Sequence, residues 1–449
     1  MKRILLFVLV VFLFSGCEKE EKPLEVTAQD YHKAVDKITD IMVHDIFSPP
    51  VASRIYAYSN IASYEIIAAN NPSYESFAST YKDFTSIPPA DASKKVNIKL
   101  AALMAQLEIG KQLIFSEERI TKYQDSLYGI WKEQNEQTFI DSQDYAMQVT
   151  AKLKEWINED NYKETRTMPK FSVYSDDPSR WQPTPPTYMD GIEPHWEKIR
   201  TFSIDSASQF RPLPPPEFSM EENTAFYDEL LEVYNVRNEM DKMGDTSEEI
   251  EIARFWDCNP YVSTQRGHLM FATKKITPGG HWIGVCKIAA QKSNLNFEET
   301  SYAYAATSIA IADGFISCWK EKYRSELVRP ETLINKYVDE NWSPVLQTPP
   351  FPEYPSGHSV VSGAAATVLT QLFGENFYYE DDTEVPYGLP VRSFSSFNKA
   401  AEEAAISRLY GGIHYRAAIE QGLIQGRELG SFVVHDLKVQ NLRQSTAGL

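Results

Sequence analysis

Residues 351–373 read FPEYPSGHSVVSGAAATVLTQLF. Prolines 352 and 355 keep the first five residues out of helix, because proline lacks the N–H donor and clashes with the preceding turn. Pro355-Ser356 followed by an apolar run is a helix N-terminus signal, with Ser356 near the N-cap. The spacing predicts a helix from Ser356 to Phe373. Working outward, a long apolar helix is expected from Tyr302 to about Arg329. A last pair is expected at Phe397–Tyr410 and Tyr415–Val434. Upstream, apolar residues recur at three- and four-residue steps from Gln29 to Asn70, interrupted at Pro49-Pro50. Val96–Ile114, Glu117–Trp131, Asp141–Ile157, Met220–Met240 and a segment from Glu249 read the same way. No stretch shows sustained strand alternation with hairpin turns. The expected fold is therefore all-α, a helical bundle with two four-helix-bundle-like halves. Met168–Phe218 carries ten prolines together with Trp181, His195 and Trp196, and is expected to form a long ordered wrapping loop.

The 449 residues hold 44 Lys+Arg against 62 Asp+Glu, a net charge of −18. That balance argues against nucleic acid as a partner, since phosphate backbones are bound by Lys and Arg. It leaves room for a small anion in a locally positive pocket. Four cysteines in this length make no disulfide scaffold, and no Cys-x-x-Cys or Cys/His ligand spacing marks a structural zinc site. Met1-Lys2-Arg3 and the apolar run Ile4–Phe14 fit a secretory signal, too short to span a bilayer. Leu13-Phe14-Ser15-Gly16-Cys17 resembles the lipobox of bacterial lipoproteins. By that resemblance residues 1–16 are removed, Cys17 carries the lipid anchor, 17–26 is a tether, and 27–449 is a single all-α domain. Plain secretion is the alternative. The resemblance implies an outer-membrane lipoprotein, facing the periplasm or the cell surface. Cys258, Cys286 and Cys318 are then expected as buried free thiols.

Three segments bring cations and hydroxyl groups into a suggestive order. Lys322 and Arg329 are seven apart, expected on one helix face that Pro330 then ends. Ser356-Gly357-His358 opens a helix, where free N–H groups and the dipole favour an anion. Arg408 and His414 flank Gly411-Gly412, which permits a sharp turn between two helices.

Taken together, Lys-x6-Arg-Pro, Pro-Ser-Gly-His and Ser-Arg-x5-His resemble the three-part motif of the type 2 phosphatidic acid phosphatase and vanadium haloperoxidase superfamily. The resemblance implies that Lys322, Arg329 and Arg408 compensate the charge of phosphate or vanadate. It implies that the Ser356 hydroxyl and the Gly357 N–H bind its oxygens. His414 is similar to the histidine that bonds the central atom, as nucleophile in a phosphatase or as the ligand to vanadium in a haloperoxidase. His358 resembles the acid–base residue. Many members carry Asp four residues after the second histidine to orient its ring. Ala418 stands there instead, so the orienter of His414 is expected elsewhere, such as a backbone carbonyl. That loss counts against the phosphatase branch.

Trp319 and Phe351 help to separate the branches. Vanadium chloroperoxidases resemble this chain in having aromatics at both positions, where a halide pocket is implied; ordinary core packing is the alternative. The layout is also similar to the vanadium iodoperoxidases of marine flavobacteria. The resemblance implies vanadate as cofactor, replaceable by phosphate. It also implies hydrogen peroxide and halide, foremost iodide and then bromide, as substrates, with small organic acceptors beyond them, and Lys322 polarising the bound peroxide. A phosphomonoesterase using the same site, or an inactive binding lipoprotein, are the alternatives. Gly357-His358-Ser359-Val360-Val361 fails the nucleophile-elbow pattern, and no P-loop, His-Glu-x-x-His or dinucleotide fingerprint is present.

Overall fold

A computed structural model of the chain describes residues 23–244, 247–266, 269–272 and 274–445. The signal segment and Cys17 lie outside the described residues. The helices are α1 (Ala28–Asp45), α2 (Pro49–Asn70), α3 (Ile98–Leu113), α4 (Glu117–Gln134), α5 (Glu136–Asn158), α6 (Tyr162–Thr165), α7 (Ala225–Met243) and α8 (Glu248–Phe255). They continue as α9 (Pro278–Lys292), α10 (Phe297–Ser325), α11 (Pro330–Tyr337), α12 (Gly357–Phe373), α13 (Phe397–Tyr410), α14 (Arg416–Asp436) and α15 (Leu442–Ser445). The fold is all-α, as expected. Two short antiparallel pairs, β1 (Ser263–Arg266) with β2 (Leu269–Ala272) and β3 (Tyr379–Asp381) with β4 (Arg392–Phe394), stand beside the helices. Strands of three or four residues are too short to display alternation.

Helix α10 organises the molecule. An Asn296/Glu299 capping box starts it, and it is buried on nearly all sides over 29 residues. It packs on α2 to one side and on α12 and α14 to the other, so two bundles share it. Helix α2 starts at Pro49-Pro50, with Ser48 as its cap; the proline pair opens this helix rather than interrupting one. Helix α9 escaped the sequence reading because it opens with Pro278-Gly279-Gly280, which looks like a turn.

The expected continuous helix to Arg329 is corrected. Helix α10 ends at Ser325, Glu326 turns left-handed at φ 51°, and Arg329 caps α11 with Pro330 as its first residue. Lys322 and Arg329 therefore do not share a helix face. The break is held by the wrapping segment. Trp181 N–H donates to the Glu326 carbonyl (2.6 Å) and Val328 N–H to the Ser179 carbonyl (3.0 Å). Downstream in the same segment, the Ile192 carbonyl accepts from Trp319 Nε1 (3.2 Å) and the Tyr323 hydroxyl (2.6 Å). Trp181 and Trp196 are buried, so this loop is ordered and packed against the site.

Helices α12 and α14 touch backbone to backbone. A Cβ added at Gly426 would lie 2.1 Å from the Val360 carbonyl oxygen, and one at Gly430 would lie 2.8 Å from that of Ala364. This contact brings the start of α12 beside the start of α14, where Ser356 N–H donates to the Ala418 carbonyl (3.0 Å). Gly426→Ala should therefore destabilise the protein by about 3 kcal/mol or more, beyond ordinary overpacking. Gly129→Ala, on α4 with open space around it, should be neutral or stabilising by up to about 1 kcal/mol. Thermal midpoints of the two variants check this, and equal midpoints would contradict the contact.

Candidate active site

Pro349, Pro350, Pro352 and Pro355 strip the loop before α12 of N–H donors and fix its φ angles. Its carbonyls are then free to accept from buried cations. Lys322 Nζ donates to the carbonyls of Pro352 (2.9 Å), Glu353 (3.0 Å) and Pro355 (2.5 Å). Arg329 donates from Nε to the Phe351 carbonyl (3.0 Å) and from Nη1 to that of Ile413 (2.8 Å). Arg408 donates from Nε to the Ser407 hydroxyl (2.9 Å) and has the Asp257 carboxylate nearby. All three cations are buried. Burial pushes the Lys322 ammonium down to about 7 and the guanidinium groups of Arg329 and Arg408 down to about 10. The Phe351 ring lies 5.1 Å from Lys322 Nζ and 5.2 Å from the Arg329 guanidinium, and Trp319 packs on it at 5.0 Å.

His414 follows a turn that needs both glycines. Gly412 has φ 76°, and a Cβ on Gly411 would lie 2.8 Å from Leu346. The orienter of His414 is not a backbone carbonyl but the Glu353 carboxylate. His414 Nδ1–H donates to Glu353 Oε1 at 2.7 Å, and Tyr415 N–H donates to the same oxygen at 3.0 Å. The Ala418 vacancy therefore carries no weight against either branch. Burial pushes the Glu353 carboxyl up to about 8, while Arg329 and Lys322 pull it down. Burial, and then Arg329, hold the His414 imidazole well below its usual range, so it is neutral. Its Nε2 lone pair faces Arg329 Nη1 at 3.1 Å. His358 is neutral for the same reason, with Arg408 adding to the effect. The Trp256 carbonyl takes up one of its ring nitrogens, leaving Nε2 as the buried nitrogen without a partner.

These groups meet at a cleft of about 490 Å³. Gly357, His358, Arg408 and His414 line it together with Trp319 and Phe351. Lys322, Arg329 and Ser356 are buried behind it. All nine residues singled out from the sequence thus converge. Arg329 Nη2, His358 Nε2 and Glu353 Oε2 are buried there without partners. The Ser356 hydroxyl accepts from Ser359 N–H at 3.3 Å, which leaves its own proton to donate. As the first residue of α12, Gly357 has an N–H with no acceptor in its helix. Sequence reasoning missed Glu353, although it sits inside the quoted run. It also missed a further wall, Asp257–Tyr261, which follows α8 and carries no motif.

A family model described as the VCPO second helical-bundle domain matches residues 302–442. A crystal structure described as that of the first bacterial vanadium-dependent iodoperoxidase is 60% identical. It superposes with a TM-score of 0.91, covering 94% of this chain and 99% of that one. A vanadium-dependent bromoperoxidase from Corallina officinalis is 28% identical over 169 residues, 35% of this chain and 27% of the relative. A vanadium chloroperoxidase from Curvularia inaequalis is 26% identical over 175 residues, 28% of this chain and 29% of the relative. The chain thus spans under a third of those two curated relatives, but nearly all of the 60% identical neighbour. With the cation cage, the paired histidines and this whole-length likeness in view, the chain belongs to the vanadium-dependent haloperoxidase family.

Proposed function

We propose that the chain uses vanadate to oxidise halide with hydrogen peroxide, and iodide foremost. The observation that carries this is the pair of unpartnered buried atoms, Arg329 Nη2 and His358 Nε2, beside the three buried cations Lys322, Arg329 and Arg408. A tetrahedral oxyanion supplies the acceptor that Arg329 Nη2 lacks and the missing negative charge, and a hydroxyl on it would donate to His358 Nε2. Vanadate, when bound, supplies a Lewis acid that activates peroxide without a change of oxidation state. His414 Nε2 would bond the metal, with Glu353 fixing the tautomer that frees it. Arg329, Arg408, the Ser356 hydroxyl and the Gly357 N–H would hold the oxygens. Lys322 spends its donors on three carbonyls, so polarising a bound oxygen requires it to release one of them. His358, neutral and with Nε2 free, would serve as the base that takes a proton from hydrogen peroxide and holds it for return. Trp319 and Phe351 present an apolar wall that strips water from a soft halide and crowds a bulky phosphate ester. Iodide is the easiest common halide to oxidise, and the 60% identical neighbour is described as an iodoperoxidase. Small organic molecules that capture hypohalous acid complete the set of partners. The lipobox-like Cys17 supports export as an outer-membrane lipoprotein with one catalytic domain over 27–449.

A second reading, phosphomonoester hydrolysis, is favoured by one observation. The Glu353-oriented His414 is a competent nucleophile as well as a ligand. The two readings separate in one parallel experiment on residues 18–449. Vanadate-loaded protein with peroxide should oxidise iodide faster than bromide or chloride, and vanadate-free protein should hydrolyse para-nitrophenyl phosphate slowly at most. Brisk ester hydrolysis without halide oxidation would instead establish the phosphatase. His414→Ala should abolish stable vanadate binding, read by equilibrium dialysis; retained binding would remove His414 as ligand.

Glu353→Ala should weaken vanadate binding roughly 10–100-fold, as loss of an outer-shell partner does. Glu353→Gln keeps an acceptor for His414 Nδ1–H and should recover part of that loss. Wild-type affinity in both would strip Glu353 of its positioning role. Trp319→Ala should change the KM for iodide more than the affinity for vanadate, and equal effects on the two would make Trp319 a plain core residue.

A further inference from the structure

We propose that Cys258, His281 and Glu384 form a divalent-metal site of the zinc class, beside the oxyanion cleft and independent of vanadate. The three residues come from different elements. Cys258 follows α8, His281 lies in the first turn of α9, and Glu384 lies in the connection between β3 and β4. Their separations from His281, 23 and 103 positions, hid them from any search for ligand spacing. All three are buried.

Cys258 Sγ is 3.5 Å from His281 Nδ1 and 3.6 Å from Glu384 Oε1, and these last two atoms are 3.1 Å apart. One zinc ion bonded at about 2.3 Å to sulfur and about 2.0 Å to nitrogen and oxygen in tetrahedral geometry spaces its ligands about 3.3–3.5 Å apart. The donors already stand at nearly those distances. Thiolate, imidazole and carboxylate together suit zinc better than the oxygen-seeking magnesium or calcium.

The surroundings are built as metal-bound histidines require. The other ring nitrogen, His281 Nε2, meets Asp381 Oδ2 at 2.9 Å and Thr383 Oγ1 at 3.0 Å. Asp381 is itself held, its Oδ1 accepting from Thr383 N–H (3.0 Å) and Oγ1 (2.6 Å). Trp256 stacks on the imidazole with centroids 4.4 Å apart. A carboxylate behind a histidine fixes its tautomer and raises its basicity toward a metal. Cys258 also lines the cleft, so the cluster borders it. Binding expels the Cys258 thiol proton and any proton on His281 Nδ1. The ion would tie the cleft wall Asp257–Tyr261 to α9 and to the β3–β4 connection.

The competing arrangement is metal-free, with His281 as an imidazolium between Asp381 and Glu384 and the Cys258 thiol donating to Glu384. The test uses vanadate-free residues 18–449, stripped with chelator, loaded with Zn2+ and desalted. Elemental analysis should find one zinc per chain. Loading with Co2+ should give intense tetrahedral d–d bands and a thiolate-to-cobalt charge-transfer band. Cys258→Ser should remove that band, and Asp381→Asn should weaken Zn2+ affinity about 10–100-fold. Absence of retained zinc and of the cobalt band in the unmodified chain would overturn the site, as would undiminished zinc in Cys258→Ser. The unmodified chain decides the matter even where a variant fails to fold. None of these readouts involves halide oxidation, so failure here leaves the haloperoxidase reading standing.

Discussion

Three positive side chains buried within one wall of packed helices set the terms for everything around them. An unpaired buried charge is among the costliest features a protein can hold. Here Lys322 and Arg329 donate mainly to backbone carbonyls and share the one nearby Glu353 carboxyl rather than each having an ion-pair partner. The proline-rich loop before α12 makes this workable, because its carbonyls have few competing amide donors nearby. Dipoles lower the cost without cancelling the charge, so a surplus of positive potential survives for an incoming anion. A full set of ion pairs would have stabilised the fold and erased the site.

Placement of those charges depends on tight contacts elsewhere. The glycine face of α14 lets α12 approach until backbones meet, which fixes Ser356 and Gly357 relative to His414. The wrapping segment holds the break between α10 and α11, and so sets the angle at which Arg329 enters. Glu353 closes the arrangement by gripping both the His414 ring and the Tyr415 amide. Rigid support of this kind is what holds a catalytic group in productive geometry without cost at each turnover.

Much of this was legible in the chain. Phe397–Tyr410 forms a helix with the bounds its spacing gives, and Pro355-Ser356 marks the start of α12. Regular helices announce themselves through periodicity, and caps through a few residue types. Arg329 was misplaced because an apolar run hides a break that distant residues stabilise, 179–181 and Glu353 among them. Glu353 was quoted and passed over, since its partner lies 61 positions away and no local pattern links them. The Asp257–Tyr261 wall has no periodicity at all. Long-range pairing leaves no mark on local spacing, and site details live mostly in such pairs.

The sharing of α10 between two bundles has a kinetic side. Helix α2 buries its apolar face against a helix that begins more than 220 positions later, as the Asn60–Ser308 hydrogen bond across 248 positions illustrates. Such closures lose chain entropy before any burial repays it, which slows folding. During synthesis the first bundle leaves the ribosome well before its central partner exists. Its greasy face must then wait, uncovered, for α10 to arrive, and that interval is the chain's window of greatest exposure to aggregation.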